Sequence, residues 1–343
     1  MLEFNLTFYI IFFLISFFST YLIAKNSKLF FSGALLDKDF LKPQAFHKEP
    51  VARIGGLIIL FLFLLFLLFY FLFLDIFLKD YFIISFLLFS LGFIDDLKVK
   101  INPNIRLILM LSILIFCINI FSIQITKSGL DFLNLWLENN IFQICFVLLC
   151  FLFVVNGANL VDGFNGLLAI HLLLINSIFL LININNQNDN ISIILSGQII
   201  IILSFLIFNF PKAKIFLGDS GSYLIGSLIV LNTIKTYELN PQISPFFFAG
   251  VLFYLFYEVF FSFIRKAVLK KSPLYPDNLH LHMLLYKWIS ASKKKESSNY
   301  LTSILINSSY LFLQIPLFYF QNHGLISRYW FFSLIIFYTI IYF

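Results

Sequence analysis

Residues 81–100 read YFIISFLLFSLGFIDDLKVK, a run of apolar side chains that ends in two adjacent carboxylates, Asp95 and Asp96, followed by two lysines. About 20 predominantly apolar residues are enough for a helix to cross a lipid bilayer. The apolar part, residues 81–94, therefore predicts a short membrane helix whose acidic end meets water. Taken alone, such a pair is most simply a set of solvated charges at a helix end.

The whole chain shares this apolar character. Of its 343 residues, 61% are hydrophobic and 12% are charged, whereas soluble domains carry about 25% charged residues. Residues 1–343 are therefore predicted to form a single all-α membrane domain, a polytopic transmembrane helix bundle of about eleven spans. The predicted spans are 5–24, 54–74, 81–94, 105–124, 139–156, 160–182, 191–209, 216–235, 243–264, 300–319 and 329–343.

The distribution of cations predicts the orientation of these spans. Membrane proteins concentrate Lys and Arg in cytoplasmic loops. With the N-terminus outside, 19 of the 23 Lys and Arg residues lie in or beside inside loops, and Lys79, Lys127, Lys235 and Arg328 remain outside. The net charge of +6 thus reflects contact with membrane lipids and does not indicate a nucleic acid partner. We expect the N-terminus outside and the C-terminus inside.

The inside segments carry most of the chemically informative residues. Asp162 in NLVDGFNG and Asp219 in FLGDSGS are predicted at the same face as Asp95 and Asp96. Carboxylate oxygens suit Mg²⁺ or Mn²⁺, and Mg²⁺ is usually held by one or two carboxylates together with substrate phosphates. The four carboxylates therefore indicate a metal-assisted site, on the cytoplasmic face, for a phosphorylated substrate.

Glycines accompany two of these carboxylates. Gly157, Gly163 and Gly166 lie around Asp162, and Gly218 and Gly221 flank Asp219. Glycine permits tight turns, and a helix that begins there offers free N–H groups to an anion, so both segments are candidate phosphate cradles. Close packing of helices is an equally good explanation for the glycines. Asp219 or Ser220 could also simply cap the following helix.

The last inside loop, residues 272–282, reads SPLYPDNLHLH. His280 and His282 could bind a metal, but two histidines without a third ligand are a weak zinc signal. They could instead donate hydrogen bonds to phosphate or sugar oxygens. A chance pair of histidines in a solvated loop is the alternative. Glu258 precedes Arg265 by seven residues on nearly the same helix face, which predicts a structural ion pair between them.

Five inside segments, in this order, resemble the polyprenyl-phosphate N-acetylhexosamine-1-phosphate transferases, and the match runs roughly from His47 to His282. Asn165, Asn278 and Met283 depart from it, because many relatives carry Asp, Arg and His at these positions. The matching residues are His47, Lys48, Arg53, Gly55, Gly56, Asp95, Asp96, Asn156, Asn159, Asp162, Gly163, Phe216, Gly218, Asp219, Gly221, Asp277, His280 and His282.

The resemblance implies an enzyme of a bacterial inner membrane that moves a sugar-1-phosphate from a UDP-N-acetylhexosamine to undecaprenyl phosphate. UMP is released, Mg²⁺ is the cofactor, with Mn²⁺ as a substitute, and the product primes cell-surface polysaccharide. Two anions must be brought together, so bound cations are needed to offset their repulsion. We expect direct attack by the lipid phosphate, without a covalent aspartyl intermediate.

The resemblance also implies roles for single residues. Asp219 is expected to bind the metal, with Asp95 and Asp96 helping to hold it or keeping the acceptor phosphate deprotonated. Phe216 is expected to stack on uracil. The candidate catalytic residues are Asp95, Asp96, Asp162, Asp219, His280 and His282, and the candidate substrate-binding residues are His47, Lys48, Arg53, Asn156, Asn159, Asn165, Phe216 and Gly218.

Alternatives remain open. A secondary transporter would also have about eleven spans, but transporters place polar groups near the midplane on repeat-related helices, and no repeat is visible here. A catalytically inactive scaffold disagrees with the presence of all four aspartates. Within the family, HLHM at residues 280–283 lacks the triple histidine typical of enzymes that use the MurNAc-pentapeptide donor, which favours UDP-GlcNAc. A homodimer is compatible with the sequence.

Overall fold

The computed structural model describes residues 5–27, 33–37, 50–99, 101–272 and 277–343. Over these ranges the chain forms fourteen helices and one small sheet of three strands. The helices are α1 Leu6–Lys25, α2 Gly55–Leu74, α3 Lys79–Asp96, α4 Pro103–Ile120, α5 Asp131–Leu137, α6 Asn140–Val161, α7 Leu167–Asn185, α8 Asp189–Asn209, α9 Gly218–Leu239, α10 Pro245–Val251, α11 Phe253–Val268, α12 Leu281–Ser290, α13 Lys295–Tyr319 and α14 Gly324–Tyr342. The strands are β1 Leu36–Asp37, β2 Val51–Arg53 and β3 Ile215–Phe216.

Membrane-spanning helices dominate this fold. In the described ranges, eight helices are long and apolar enough to cross a membrane, and α10 with α11 forms a ninth candidate that is bent by 74°. The helices α3, of 18 residues, and α9, of 22 residues, are as long but carry charged residues near both ends. Each of the eleven predicted segments coincides with one of these helices or with the bent pair. The all-α, multi-pass character is confirmed, whereas the exact number of spans and their orientation stay predictions.

The three-stranded sheet was not predicted. Strand β2 pairs antiparallel with β1 and parallel with β3, so that Arg53 lies opposite Phe216. The strands have two or three residues each, which is too short for alternation of polar and apolar side chains to be recognised. The sheet connects the segment before α2 to the segment before α9 through the pairing of β2 with β3.

Helix α9 lies at the centre of the bundle and is buried along nearly its whole length. Its first turn packs directly on the backbone of α3. A Cβ atom added at Gly92 of α3 would lie 2.5 Å from the carbonyl oxygen of Asp219, a distance that no side chain tolerates. Glycine therefore allows the acidic end of α3 and the start of α9 to touch.

A group of buried amides, which we call the amide network, joins α9 to its neighbours. Asn232 on α9 donates to Gln198 on α8 at 2.7 Å and to Asn176 on α7 at 3.1 Å. It accepts from the hydroxyl of Tyr81 on α3 at 2.9 Å. All four side chains are at most 3% exposed. The network contains no charged group, and it connects four helices by hydrogen bonds in the interior of the bundle.

Candidate active site

Asp96, the last residue of α3, caps the N-terminus of α9. Its Oδ1 accepts from the amide of Asp219 at 3.0 Å, and its Oδ2 accepts from the amide and the hydroxyl of Ser220 at 2.9 and 2.5 Å. Negative charge is stabilised at a helix N-terminus by the exposed amides and the helix dipole. A self-made cap by Asp219 or Ser220 was therefore the wrong expectation, since the capping carboxylate comes from another helix.

The same geometry bears on the predicted phosphate cradle at residues 216–222. Two amides in the first turn of α9, those of Asp219 and Ser220, are already bonded to Asp96 and are not free for a phosphate. Gly218 has φ +80°, and a Cβ there would lie 2.6 Å from Oδ2 of Asp96. Glycine is required at this position by the conformation and by the approach of the capping carboxylate.

Asp219 and Asp162 are the half-buried members of the carboxylate cluster beside the buried Asp96. Asn159 on α6 donates from Nδ2 to Oδ1 of Asp219 at 2.9 Å and to the hydroxyl of Ser222 at 3.1 Å. Asp162 directly follows α6 and is half-buried. Burial, followed by the negative charges of Asp219 and Asp96, raises the pKa of Asp162 to about 7. A cation placed among these carboxylates would relieve that repulsion.

Arg53 supplies positive charge beside the cluster. Strand β2 positions it so that Nη2 lies 2.7 Å from Oδ2 of Asp37, and Nη1 lies 4.0 Å from Oδ1 of Asp96. Its charge also acts to lower the pKa of Asp162, against the larger effect of burial. Arg53 is thus held by one carboxylate at the edge of a site that contains three others.

The two adjacent aspartates face different partners. Oδ2 of Asp95 accepts from Nη1 of Arg106 on α4 at 2.8 Å, whereas Asp96 faces α9. Arg106 forms this ion pair in the first turn of α4, and its side chain is 32% exposed. The sequence pair DD therefore performs two distinct functions, an interhelical ion pair and a helix cap.

The predicted ion pair between Glu258 and Arg265 was wrong. Arg265 donates from Nη2 to both oxygens of Asp277, at 2.9 and 2.6 Å. Oε2 of Glu258 lies 3.2 Å from Nδ1 of His280, and Oε1 accepts from the amide of Leu281 at 3.1 Å. The loop folds back onto α11 and supplies each charged residue with a partner that proximity along one helix could not predict.

His282 is enclosed by aromatic side chains. It is 0% exposed, its Nδ1 lies 3.2 Å from the hydroxyl of Tyr254, and its ring centroid lies 5.7 Å from that of Phe164. Burial lowers the pKa of His282 to about 4, so the ring is neutral at physiological pH. His280 is 3% exposed, and both histidines therefore lie beneath the surface in this conformation.

The remaining predicted substrate-binding residues lie on α6, in the segment after it and on β3, or outside the described residues. Asn156 faces α4 and bonds within its own helix to the carbonyl of Leu152 at 2.7 Å. Asn165 donates to the carbonyl of Pro211 at 3.0 Å, while Phe216 is half-buried on β3. His47 and Lys48 lie outside the described residues.

The structure thus brings a subset of the predicted residues together at the start of α9. The residues that meet there are Arg53, Asp96, Asn159, Asp162, Gly218 and Asp219. Sequence reasoning missed Asp37 and Ser222, and it considered Ser220 only as a possible cap of its own helix, yet the contacts of all three complete the site. Ser220 and Ser222 were visible within the motif GDSGS, but Asp37 gave no signal because only its pairing with Arg53 across β1 and β2 makes it relevant.

A divalent metal fits this donor set only in part. Among the described residues, no group of three or more His, Cys, Asp or Glu side chains is arranged to hold an ion. Mg²⁺ is usually bound by one or two carboxylates and completes its shell with water and substrate phosphates. Asp219 and Asp162, which repel each other electrostatically, are suited to such an incomplete site.

Comparison with known proteins identifies the class. The sequence profile of glycosyl transferase family 4 matches residues 79–237, which include α3, α6 and the start of α9. The chain is 30% identical over 249 residues to an undecaprenyl-phosphate alpha-N-acetylglucosaminyl 1-phosphate transferase from Thermotoga maritima, covering 72% of each chain. It is also 30% identical to a phospho-N-acetylmuramoyl-pentapeptide-transferase from Dictyoglomus turgidum, covering 71% of this chain and 77% of the relative.

A third relative, a probable undecaprenyl-phosphate N-acetylglucosaminyl 1-phosphate transferase from Bacillus subtilis, is 26% identical over 251 residues, 69% of this chain and 66% of its own. The fold and these matches define a multi-pass membrane enzyme that transfers phosphosugars. The chain belongs to glycosyl transferase family 4, and the resemblance drawn from its five inside segments is confirmed.

Proposed function

We propose that this protein transfers N-acetylglucosamine-1-phosphate from UDP-GlcNAc to undecaprenyl phosphate and releases UMP. The reaction takes place at the cytoplasmic face of a bacterial inner membrane, and its product primes a cell-surface polysaccharide. The observation that carries the proposal is the carboxylate cluster at the start of α9, in which Asp96, Asp162 and Asp219 lie beside Arg53 at the end of several membrane helices. Relatives that act on undecaprenyl phosphate support the choice of acceptor.

The transfer forms a bond between an oxygen of the lipid phosphate and the phosphorus that carries the sugar. The bond from that phosphorus to the bridging oxygen breaks, and UMP leaves with the electron pair. Catalysis of phosphoryl transfer depends mostly on positioning and on neutralising charge. Asp219 and Asp162 would hold Mg²⁺, which when bound offsets the repulsion between the two phosphates.

The residues of the chain prepare this site. Asp96 fixes the start of α9 and thereby the place of Asp219, and Asn159 orients one oxygen of Asp219. Arg53 adds a positive charge close to the incoming anions. Asp95 and Asp96 are both engaged by other groups, which favours direct attack by a phosphate that is already ionised over attack by an aspartate.

Donor choice is the finer part of the proposal. The sequence at residues 280–283, HLHM, lacks three consecutive histidines and favours UDP-GlcNAc over a pentapeptide-bearing donor. A relative that transfers phospho-N-acetylmuramoyl-pentapeptide is equally similar in sequence identity, so this second donor needs a direct comparison. The outcome depends on whether the site offers polar partners to the peptide, since unpaired polar groups weaken binding.

The test is release of UMP by purified protein supplied with undecaprenyl phosphate, Mg²⁺ and either donor in parallel. We expect UMP from UDP-GlcNAc, dependence on the lipid acceptor, and loss of activity in EDTA with recovery on adding Mg²⁺. Preferential release from the pentapeptide donor would replace the donor assignment. Absence of UMP from both donors would refute the transferase proposal and return attention to transport.

A further inference from the structure

Glu258 is a buried acidic residue that none of the steps above uses. It lies on α11, beyond the bend that separates this helix from α10, and is 1% exposed. An ionised carboxylate in such surroundings costs several kcal/mol unless hydrogen bonds and opposite charges compensate for the lost water. Ionisable groups within membrane helices are for that reason good candidates for function.

Three contacts of Glu258 come from residues 280–282, at the end of the last inside loop and the start of α12, and the hydroxyl of Tyr338 on α14 also faces its carboxylate. Oε1 accepts from the amide of Leu281 at 3.1 Å, and Oε2 lies 3.2 Å from Nδ1 of His280. A second histidine nitrogen, Nδ1 of His282, lies 3.9 Å from Oε1. One carboxylate on α11 thus contacts three consecutive residues at the start of α12.

These contacts fix the ring of His280. An ionised carboxylate only accepts hydrogen bonds, so Nδ1 of His280 carries the proton that faces Glu258. On the opposite side of the ring, Nε2 lies 3.4 Å from Oδ1 of Asp277, which Arg265 holds through two hydrogen bonds. The ring therefore lies between two carboxylates, each of which can accept from the ring nitrogen that it faces, and together they fix the orientation of the ring.

Helix α12 transmits this placement to the carboxylate cluster. The ring of Phe164, two residues after Asp162, packs against His282 at 5.7 Å and against Tyr286 at 5.2 Å between centroids. The start of α12 is thereby seated on the segment that carries Asp162. A shift of α12 would displace the side chains that pack against Phe164, and with them the segment that carries Asp162.

We propose that Glu258 is a positioning residue for the transfer reaction, which fixes the ring of His280 and the start of α12 against the segment that carries Asp162. The inference rests on the proposed function, because it concerns the rate of that reaction. Glu258 acts through its neighbours and needs no contact with substrate. Its charge, and not only its volume, is what the role requires.

Two variants separate charge from volume. Glu258→Gln keeps the shape of the side chain but removes the negative charge that faces Nδ1 of His280. Glu258→Asp keeps the charge and shortens the chain by one methylene. We expect kcat/KM for UDP-GlcNAc to fall about 10- to 100-fold in Glu258→Gln and to fall less in Glu258→Asp, with the thermal unfolding temperature of Glu258→Gln within a few degrees of wild type. A purely structural role predicts the reverse order, since the shorter side chain leaves a cavity.

A double-mutant cycle with His280→Ala tests whether Glu258 acts through His280. Once His280 is removed, Glu258→Gln should change kcat/KM by no more than about twofold. Tyr257→Phe is the matched control, because Tyr257 is also buried on α11 but bonds to Thr339 on α14 at 3.2 Å, and it should leave kcat/KM unchanged. Wild-type kcat/KM in Glu258→Gln, or full additivity with His280→Ala, would overturn the proposal.

A second measurement keeps this proposal separable from the proposed function. Deuterium exchange of the peptide that contains residues 281–290 is measured without substrate, and should accelerate in Glu258→Ala but not in Tyr257→Phe. Absence of UMP release by the wild type would refute the transferase function, while faster exchange would still show that Glu258 seats α12. Unchanged exchange in Glu258→Ala would refute the positioning role whether or not UMP is released.

Discussion

The carboxylate cluster at the start of α9 and the amide network farther along the same helix differ in how their buried polar groups are paired. In the amide network, neutral side chains of Tyr81, Asn176, Gln198 and Asn232 satisfy one another. In the cluster, Asp162 is pushed toward its neutral form by burial and by Asp219. Mutually satisfied groups stabilise a fold, whereas groups that still lack a partner are prepared to receive one. We therefore expect the amide network to stabilise the fold and the carboxylate cluster to take part in the proposed reaction.

The largest effect should come from Asp219→Asn, which removes charge from the cluster and leaves volume unchanged. Loss of a carboxylate that binds a metal ion plausibly reduces UMP release by a few orders of magnitude, with little change in thermal unfolding. Asp189→Asn, on the exposed first turn of α8, is the control and should retain activity. Near-normal turnover by Asp219→Asn at ordinary Mg²⁺ would contradict the assignment of chemistry to this region.

The second-largest loss of activity is expected from Gly218→Ala, because this substitution changes the geometry of the site and not its charge. A residue other than glycine is strained at φ +80°, and its Cβ would displace the carboxylate of Asp96. We expect about a 100-fold lower rate from misplacement of Asp219 and a loss of about 1–3 kcal/mol in the free energy of unfolding. Gly324→Ala, where an added Cβ has no neighbour within 4 Å, should leave both quantities at wild-type values. If Gly218→Ala does the same, the cap by Asp96 does not position the site.

Asn232→Leu tests the other side of the comparison. It removes the central member of the amide network and leaves Gln198 and Tyr81 without their partner. Unfolding in detergent should become easier by about 1–3 kcal/mol, while kcat of the folded fraction stays at the wild-type value. Thr233→Val is the matched control, since its hydroxyl bonds to the carbonyl of Ile229 on its own helix at 2.7 Å. A large drop in kcat for Asn232→Leu would show that the two regions are not separate in function.

The smallest effect on activity, and a clear effect on labelling, is expected from Ser292→Cys. This exposed residue lies after α12, on the face predicted to be inside, so an impermeant maleimide should label it only in broken cells. Lys127→Cys, on the face predicted to be outside, should be labelled in intact cells, and the wild type with its own three cysteines provides the background. The opposite pattern would place the carboxylate cluster away from cytoplasmic UDP-sugar.

Local sequence patterns predicted the helices well, because about 20 apolar residues in a row are sufficient to define a membrane helix. They could not predict contacts between distant segments. The cap of α9 by Asp96 joins residues 123 positions apart, and the partner of Glu258 came from a loop and not from its own helix. The short strands that hold Arg53 also gave no periodic signal.

The same holds for the candidate site: its residues could be selected from the sequence, but their contacts could not. Residue types and order were enough to select Asp162 and Asp219, and the family resemblance added Asn159; the structure brings the three close together. They did not reveal that Asp95 and Asp96 have separate partners, since adjacent residues at a helix end can turn toward different helices. Their roles as catalytic or metal-binding groups stay predictions, as do those of His47 and Lys48.

The cap that α3 provides to α9 has a consequence for how the chain is made. Asp96 is synthesised 123 residues before Asp219, whose amide it accepts from. Its carboxylate therefore has no contact with α9 while α4 to α8 are synthesised and inserted. A charge that waits in hydrocarbon would be costly, but one at the membrane surface stays hydrated. An aspartate at the end of its helix thus suits biosynthesis, because its contact with α9 forms only when the central helix is inserted and replaces water at a carboxylate already in place.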